Sequence, residues 1–262
     1  MATFRTRARA VDLLGKQQIR DEVTAISELL RNSYDADASE GIIDINSKTD
    51  RIIVWDDGHG MNLKDLEEHW LTLGTHSKNT KKIIRTSKGR VKIGEKGIGR
   101  LAISILGNQL LIISKKESEW ALLFLHWELF RNEHMYLENI NVPIRSFENC
   151  TQLIEFLQHD FIQLKNELLS NFSDTDIWAN EDISTISHDI NTFNINTEIL
   201  HYINMIEKRG SGTLFHITNM DDTWDWNLYE STIPDQISIR KKRRLEDQLY
   251  SFQNVLETFQ NQ

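Results

Sequence analysis

Three polar side chains in the stretch "ELLRNSYDADAS" could act on one ligand. Glu28, Asn32 and Asp35 stand at i, i+4 and i+7. On a helix they fall within roughly 60° of one another, so one face can present all three to a pocket. The same row is also what a solvated helix face looks like. A second stretch, "IIVWDDGHGM", ends an apolar run in Asp56 and continues through Gly58 and Gly60. A strand-end aspartate can accept a hydrogen bond from the exocyclic amine of a base, while glycine backbone passes beneath the flat ring. A plain glycine turn fits the same letters. The third stretch, "RVKIGEKGIGRLAISILG", holds four of the chain's 12 glycines. Around Gly94, Gly97 and Gly99, backbone amides can converge on a phosphate at the start of a helix, or simply form a surface turn. The stretch is not a P-loop, because Arg100-Leu101 stand where that loop has Lys-Ser/Thr.

The elements that must position these residues are legible in outline. Ile19, Val23, Ile26 and Leu30 recur at helical spacing, so Ile19–Ala36 reads as a helix with its apolar side opposite the polar row. "GIIDI" and "RIIVW" read as strands joined by a turn at Asn46–Asp50. Asn62 can cap a helix running to about Leu73. Gly74 to Gly89 is polar and basic without a period, and reads as a long mobile loop. A short helix at Leu101–Leu106 follows. "QLLIIS", "WALLFLHW" and "HMYLENI" read as consecutive strands. Ile144–Ser170 reads as mostly helical, Asn171–Asn196 has no clear reading, Glu198–Lys208 reads as a helix, and "GTLFHIT" as a strand. Two further helices are expected after it. This order implies an α+β two-layer sandwich with helices on one face of a mostly antiparallel, mixed sheet.

Bulk properties narrow the class. An apolar fraction of 39% over 262 residues supports a real core, in one large or two small domains. The net charge of −9 argues against broad nucleic-acid binding, without excluding a local basic patch. One cysteine, Cys150, leaves no intrachain disulfide framework. His59 and His76 have no zinc-type spacing around them. The N-terminus is too polar for a signal peptide, and no run approaches the roughly 20 apolar residues of a membrane span. A soluble, cytoplasmic protein is expected.

Taken in order, Glu-x-x-x-Asn with Asp-Ala, Asp-x-Gly-x-Gly-Met and Gly-x-x-Gly-x-Gly resemble the ATP-binding domains of the gyrase, heat-shock chaperone, histidine kinase and MutL superfamily, called GHKL. The wording "LGTHSK" and "GEKGIGR" is most similar to the chaperone and MORC-like side, and to stand-alone bacterial ATPases associated with defence against phage or foreign DNA. The resemblance implies the Bergerat-type ATP-binding fold, with ATP and Mg2+ as ligands. It implies that Glu28 activates the attacking water and that Asn32 coordinates magnesium. Asp35 and Ala36 lie beside the nucleotide, and Asp56 recognises the adenine amine. Gly58, Gly60 and Met61 shape the adenine pocket. Lys78 approaches the phosphates, Gly94, Gly97, Ile98 and Gly99 form the phosphate side of a lid, and Thr213 supports Asp56.

The resemblance divides the chain into 1–142 as the first part of the ATP-binding domain, 143–210 as a mainly helical insertion, 211–221 as the final sheet segment and 222–262 as a helical extension. Members of the superfamily complete the site with a Lys or Arg from a second domain that reads the γ-phosphate, and the sequence does not identify that residue. Either the chain is a fragment, or a second copy in a homodimer or a partner protein supplies the residue, or hydrolysis is weak and slow. Two functions fit: an ATP hydrolase whose cycle closes a lid and drives dimerisation, or a nucleotide sensor with little turnover that signals to a partner.

Overall fold

Short runs of Ile, Val and Leu too brief for helices pair into one sheet. The computed structural model describes residues 3–18, 21–73, 85–93 and 99–220. The strands are Gly41–Asn46 (β1), Arg51–Asp56 (β2), Gln109–Lys116 (β3), Glu119–His126 (β4), Ile144–Phe147 (β5) and Gly212–Thr218 (β6). Their order is β1-β2-β6-β3-β4-β5, and each neighbouring pair is antiparallel. The last strand in sequence inserts at the centre. It sets Thr213 opposite Asp56 on one side and opposite Ser114 on the other.

The helices are Arg9–Gln18 (α1), Glu22–Asp35 (α2), Leu63–Asp65 (α3), Ile103–Leu106 (α4), Cys150–Glu155 (α5), Phe161–Leu169 (α6), Asn180–Thr192 (α7) and Thr197–Arg209 (α8). Asp21 caps α2 by accepting from the Thr24 amide at 2.9 Å, which satisfies one of the donors a helix start leaves open. Val23, Ile26 and Leu30 are buried as their spacing predicts, together with Leu29 and Tyr34. Asn62 forms a capping box with Asp65. The helix it starts widens into a π turn at Leu66–Trp70 and ends short of Leu73.

The α+β sandwich is present, and its two faces can be assigned from the register, because side chains alternate along strands. Asp56, Thr213 and Ser114 share the face covered by α2, where the Ser33 hydroxyl donates to Asp56. The segment between β5 and β6 adds a third layer on the opposite face. There Phe193 packs on Phe124, Phe161 and His216, with ring centroids 5.0, 5.6 and 5.6 Å apart. Buried Arg51 pairs with Asp44 at 3.0 Å and with Glu198 of α8. His126 meets Asp189 of α7 at 3.2 Å. Lys165 donates to the carbonyls of Asn191 and Phe193 at 2.8 and 2.6 Å. That fixes the link between α7 and α8, and burial lowers its pKa.

Two sequence expectations are corrected. "HMYLENI" (His134–Ile140) is not a strand. Its backbone turns to the N-terminal stretch instead, with Ala8 N–H donating to Met135 O and Leu137 N–H to Thr6 O. Arg5 and Arg7 stack on Tyr136 there, 3.3 and 4.1 Å from the ring centre. The vacant edge beside β4 is taken by Ile144–Phe147, which had read as the start of a helix. Helix α1 has no clear apolar period: Val11 is buried, while Leu13 and Leu14 are exposed. Ile19, the loop 74–84 and the C-terminal extension 222–262 lie outside the described residues.

Phe193→Ala removes the ring that joins α6 and the α7–α8 link to the sheet. It is expected to cost about 3–5 kcal/mol and to lower one unfolding transition of the whole chain. A calorimetric scan showing a second, separate transition, with the sheet melting unchanged, would mean that the helical segment stands apart.

Candidate functional site

Asp56 ends β2 just as the chain leaves the sheet, so a polar side chain arrives at a core boundary. It is 3% exposed. The Ser33 hydroxyl donates to Oδ2 at 2.8 Å and the Gly58 amide to Oδ1 at 2.9 Å. Burial pushes its carboxyl up to about 6, and these two hydrogen bonds offset part of that rise. At its two glycines the loop after it has no room for a side chain. A Cβ on Gly58 would lie 2.8 Å from the Ala36 Cβ, and one on Gly60 would lie 1.9 Å from the Lys115 carbonyl oxygen. Gly60 also adopts φ +67°, which glycine takes without penalty.

Hydrogen bonds tie this loop to α2. The His59 amide donates to Ala36 O at 2.8 Å, and Asp57 accepts from the Ser39 and Glu40 amides at 2.7 Å each. The Met61 amide donates to Ser114 Oγ at 2.8 Å, and Ser114 Oγ lies 2.8 Å from Thr213 Oγ1. One polar network therefore runs from the loop into the central strands.

Along α2, Glu28 is half-buried and pairs with Arg31, Asn32 is exposed, and Asp35 is half-buried and accepts from the Ile93 amide at 2.8 Å. Gly99 opens the 3-10 turn Gly99–Ala102, which leads into α4 and packs on α2. The Asp56 loop and the Ile93 amide thus meet the C-terminal end of α2, and the Gly99 turn packs on the same helix. Lys78, Gly94, Gly97 and Ile98 lie outside the described residues.

Two residues of this arrangement escaped the sequence reading. Ser33 follows Asn32 on the buried side of α2, and only the strand beneath it reveals its partner. Ser114 closes the apolar run of β3, and a hydroxyl interrupting such a run was the available signal. Cavities of ≈ 410 and ≈ 260 Å³ lie on the other sheet face, around Phe193. Neither is lined by a residue expected in the site. No group of three His, Cys, Asp or Glu able to hold a metal occurs among the described residues. Asn32 suits magnesium in a different way: one exposed amide oxygen is the hard, single ligand that this ion accepts while keeping waters and phosphate oxygens.

Residues 21–159 match the family of histidine kinase-, DNA gyrase B- and HSP90-like ATPases. The match covers more than half of the chain, and the chain belongs to this family. Membership implies ATP binding and hydrolysis. Over 90 residues the chain is 38% identical to a protein of Herpetosiphon aurantiacus named "Putative type II restriction enzyme HgiDII". That stretch is 34% of this chain and 14% of the relative, so the chain spans a small part of that protein's length. No described helix is long and apolar enough to cross a membrane.

Asp56 leaves a pH signature. A carboxyl whose pKa rises on folding keeps its proton longer in the folded state, so its stabilising effect is full below about pH 4 and is lost as pH rises through 6. His216, lowered to about 4 by burial and by Arg51, has the opposite sign, since its effect is lost as pH falls. Comparison with Asp56→Asn cancels the histidine. Between pH 4 and 7, wild type should lose about 2–3 kcal/mol relative to Asp56→Asn in denaturant titrations. Parallel curves would contradict the burial argument.

Proposed function

We propose that this domain binds Mg-ATP at the end of α2 and hydrolyses it to ADP and phosphate. The observation that carries the reading is Asp56: a buried carboxylate held by two donors beside a glycine loop, in a chain of this ATPase family. Above pH 6 the carboxylate is ionised and can accept the adenine amine. Gly58, Gly60 and Met61 form the wall around the purine, and Thr213, opposite Asp56 on β6, supports it through a water. Asp35 and Ala36 flank the nucleotide. Asn32 holds magnesium, which neutralises charge on the phosphates when bound. Lys78 and the segment Gly94, Gly97, Ile98 and Gly99 close over the phosphates.

Glu28 orients the attacking water and takes its proton. The water oxygen bonds to the γ-phosphorus, the bond to the β-bridging oxygen breaks, and ADP leaves. Before that step Glu28 must give up its ion pair with Arg31. A Lys or Arg from a second copy of the chain, or from a partner protein, reads the γ-phosphate and couples closure to dimerisation. The restriction-enzyme relative supports a role in DNA-related defence, with the chain acting as a nucleotide-driven switch.

A second reading is favoured by the Glu28–Arg31 pair itself. With Glu28 held by Arg31, the domain would sense ATP and signal to a partner with little turnover. Glu28→Ala separates the two. On the first reading it binds ATP with near wild-type affinity while hydrolysis falls by about 10²-fold or more, and Asp56→Asn loses binding. On the second, wild type binds ATP and shows no Glu28-dependent phosphate release. Unchanged binding in Asp56→Asn would defeat both.

A further inference from the structure

Residues 85–93 form a tight turn that no role in the site yet explains. Arg85 and Val91 bridge its ends, the Thr86 amide donates to Arg90 O at 2.8 Å, and Gly89 stands at φ +81°. The turn is pressed onto the corner that follows α2. Asp37, buried and at φ +62°, accepts from Ser87 Oγ at 2.7 Å and from the Lys88 amide at 3.0 Å. Lys88 Nζ donates to Asp37 O and to Ser39 Oγ, each at 2.8 Å. Arg90 is 4% exposed and donates to Ala38 O at 2.6 Å and to Tyr34 O at 3.4 Å. Its guanidinium lies 5.1 Å from the centre of the Tyr34 ring.

We propose that Asp37 and Arg90 are positioning residues for the nucleotide site, clamping the 85–93 stem to the corner that carries Asp35 and Ala36. The corner is shared. Its other side holds the purine loop through Ala36 O and the Ser39 and Glu40 amides, and Ile93 on the stem donates to Asp35. A non-glycine residue in the left-handed region persists only when its surroundings over-determine it, and here Ser87, Lys88 and Arg90 do so. The buried guanidinium supplies a donor to Ala38 O near the helix end and adds a longer bond to Tyr34 O, which also accepts from the Asp37 amide. Burial works to raise the Asp37 carboxyl, but hydrogen bonds from Thr86, Ser87 and Lys88 and the charge of Arg90 hold it below its ordinary value. With the clamp made, the stem and the purine loop are ordered before ligand arrives. Without it, binding must order both, and apparent affinity falls by the competent fraction.

The inference rests on the ATP reading, and its test separates the two. Binding of a nonhydrolysable ATP analogue with Mg2+ is measured by calorimetry on the full chain, alongside amide exchange without nucleotide. Arg90→Met should raise Kd about tenfold and speed exchange at residues 35–39 and 86–93. Arg90→Lys, which keeps charge and donors, should recover most of the affinity. Ser87→Ala and Asp37→Asn are milder. They should keep the melting temperature within a few degrees while raising Kd by a factor of about three to ten, and they decide the matter if Arg90→Met does not fold. Variants whose corner exchanges faster while Kd stays at the wild-type value overturn the clamp and leave the ATP reading intact. Wild type that binds no nucleotide, matching Asp56→Asn, overturns the ATP reading and the clamp with it.

Discussion

The site depends on a carboxylate kept at the edge of the core. Asp56 has given up nearly all contact with water, and among the described residues the Ser33 hydroxyl and the Gly58 amide donate to it. Each donor comes from a different element, so holding Asp56 requires α2, β2 and the glycine loop to keep fixed relative positions. A buried polar group left without partners is costly. On the proposed reading, the same cost that makes Asp56 hard to bury makes it selective, because a ligand group that donates there repairs a deficit. The central placement of β6 completes the arrangement by setting Thr213 and Ser114 in register with it.

The second constraint is the end of α2. The corner from Ala36 to Glu40 touches the glycine loop after Asp56 on one side and the 85–93 turn on the other. Few residues hold this junction, and several are polar side chains bonding to backbone. Such contacts fix direction more than they add stability. The third layer of helices plays a different part. By covering the far face with Phe193, Glu198 and Asp189, it leaves the central strands buried on both sides, and the strands that carry Asp56 and Thr213 gain a rigid base.

Much of this was readable from the sequence where periodicity was strong. Val23, Ile26 and Leu30 gave the buried side of α2, and short Ile-rich runs gave β1 and β2. The motif order gave the family. What escaped was long-range. "HMYLENI" carries strand-like residues, but its hydrogen bonds go to residues 6 and 8, a pairing no local pattern reveals. Ile144–Phe147 is only four residues long and abuts a helix, so its strand character depended on an open sheet edge. Ser33 and Ser114 are small hydroxyls whose meaning appears only when β2 and β6 are stacked beside them. The bonds of Asp37 with Ser87 and Lys88, and of Arg90 with Ala38, join residues fifty or more positions apart and follow from no motif.

The claim that Asp56 reads an adenine amine is tested most directly by base selectivity. Titrating the chain calorimetrically with Mg-ATP and Mg-GTP compares an amine donor with a carbonyl acceptor at the same purine position. The account predicts heat of binding for ATP and an affinity for GTP at least about 100-fold weaker, since two acceptors would face each other in a buried site. Equal affinity for the two nucleotides would contradict it.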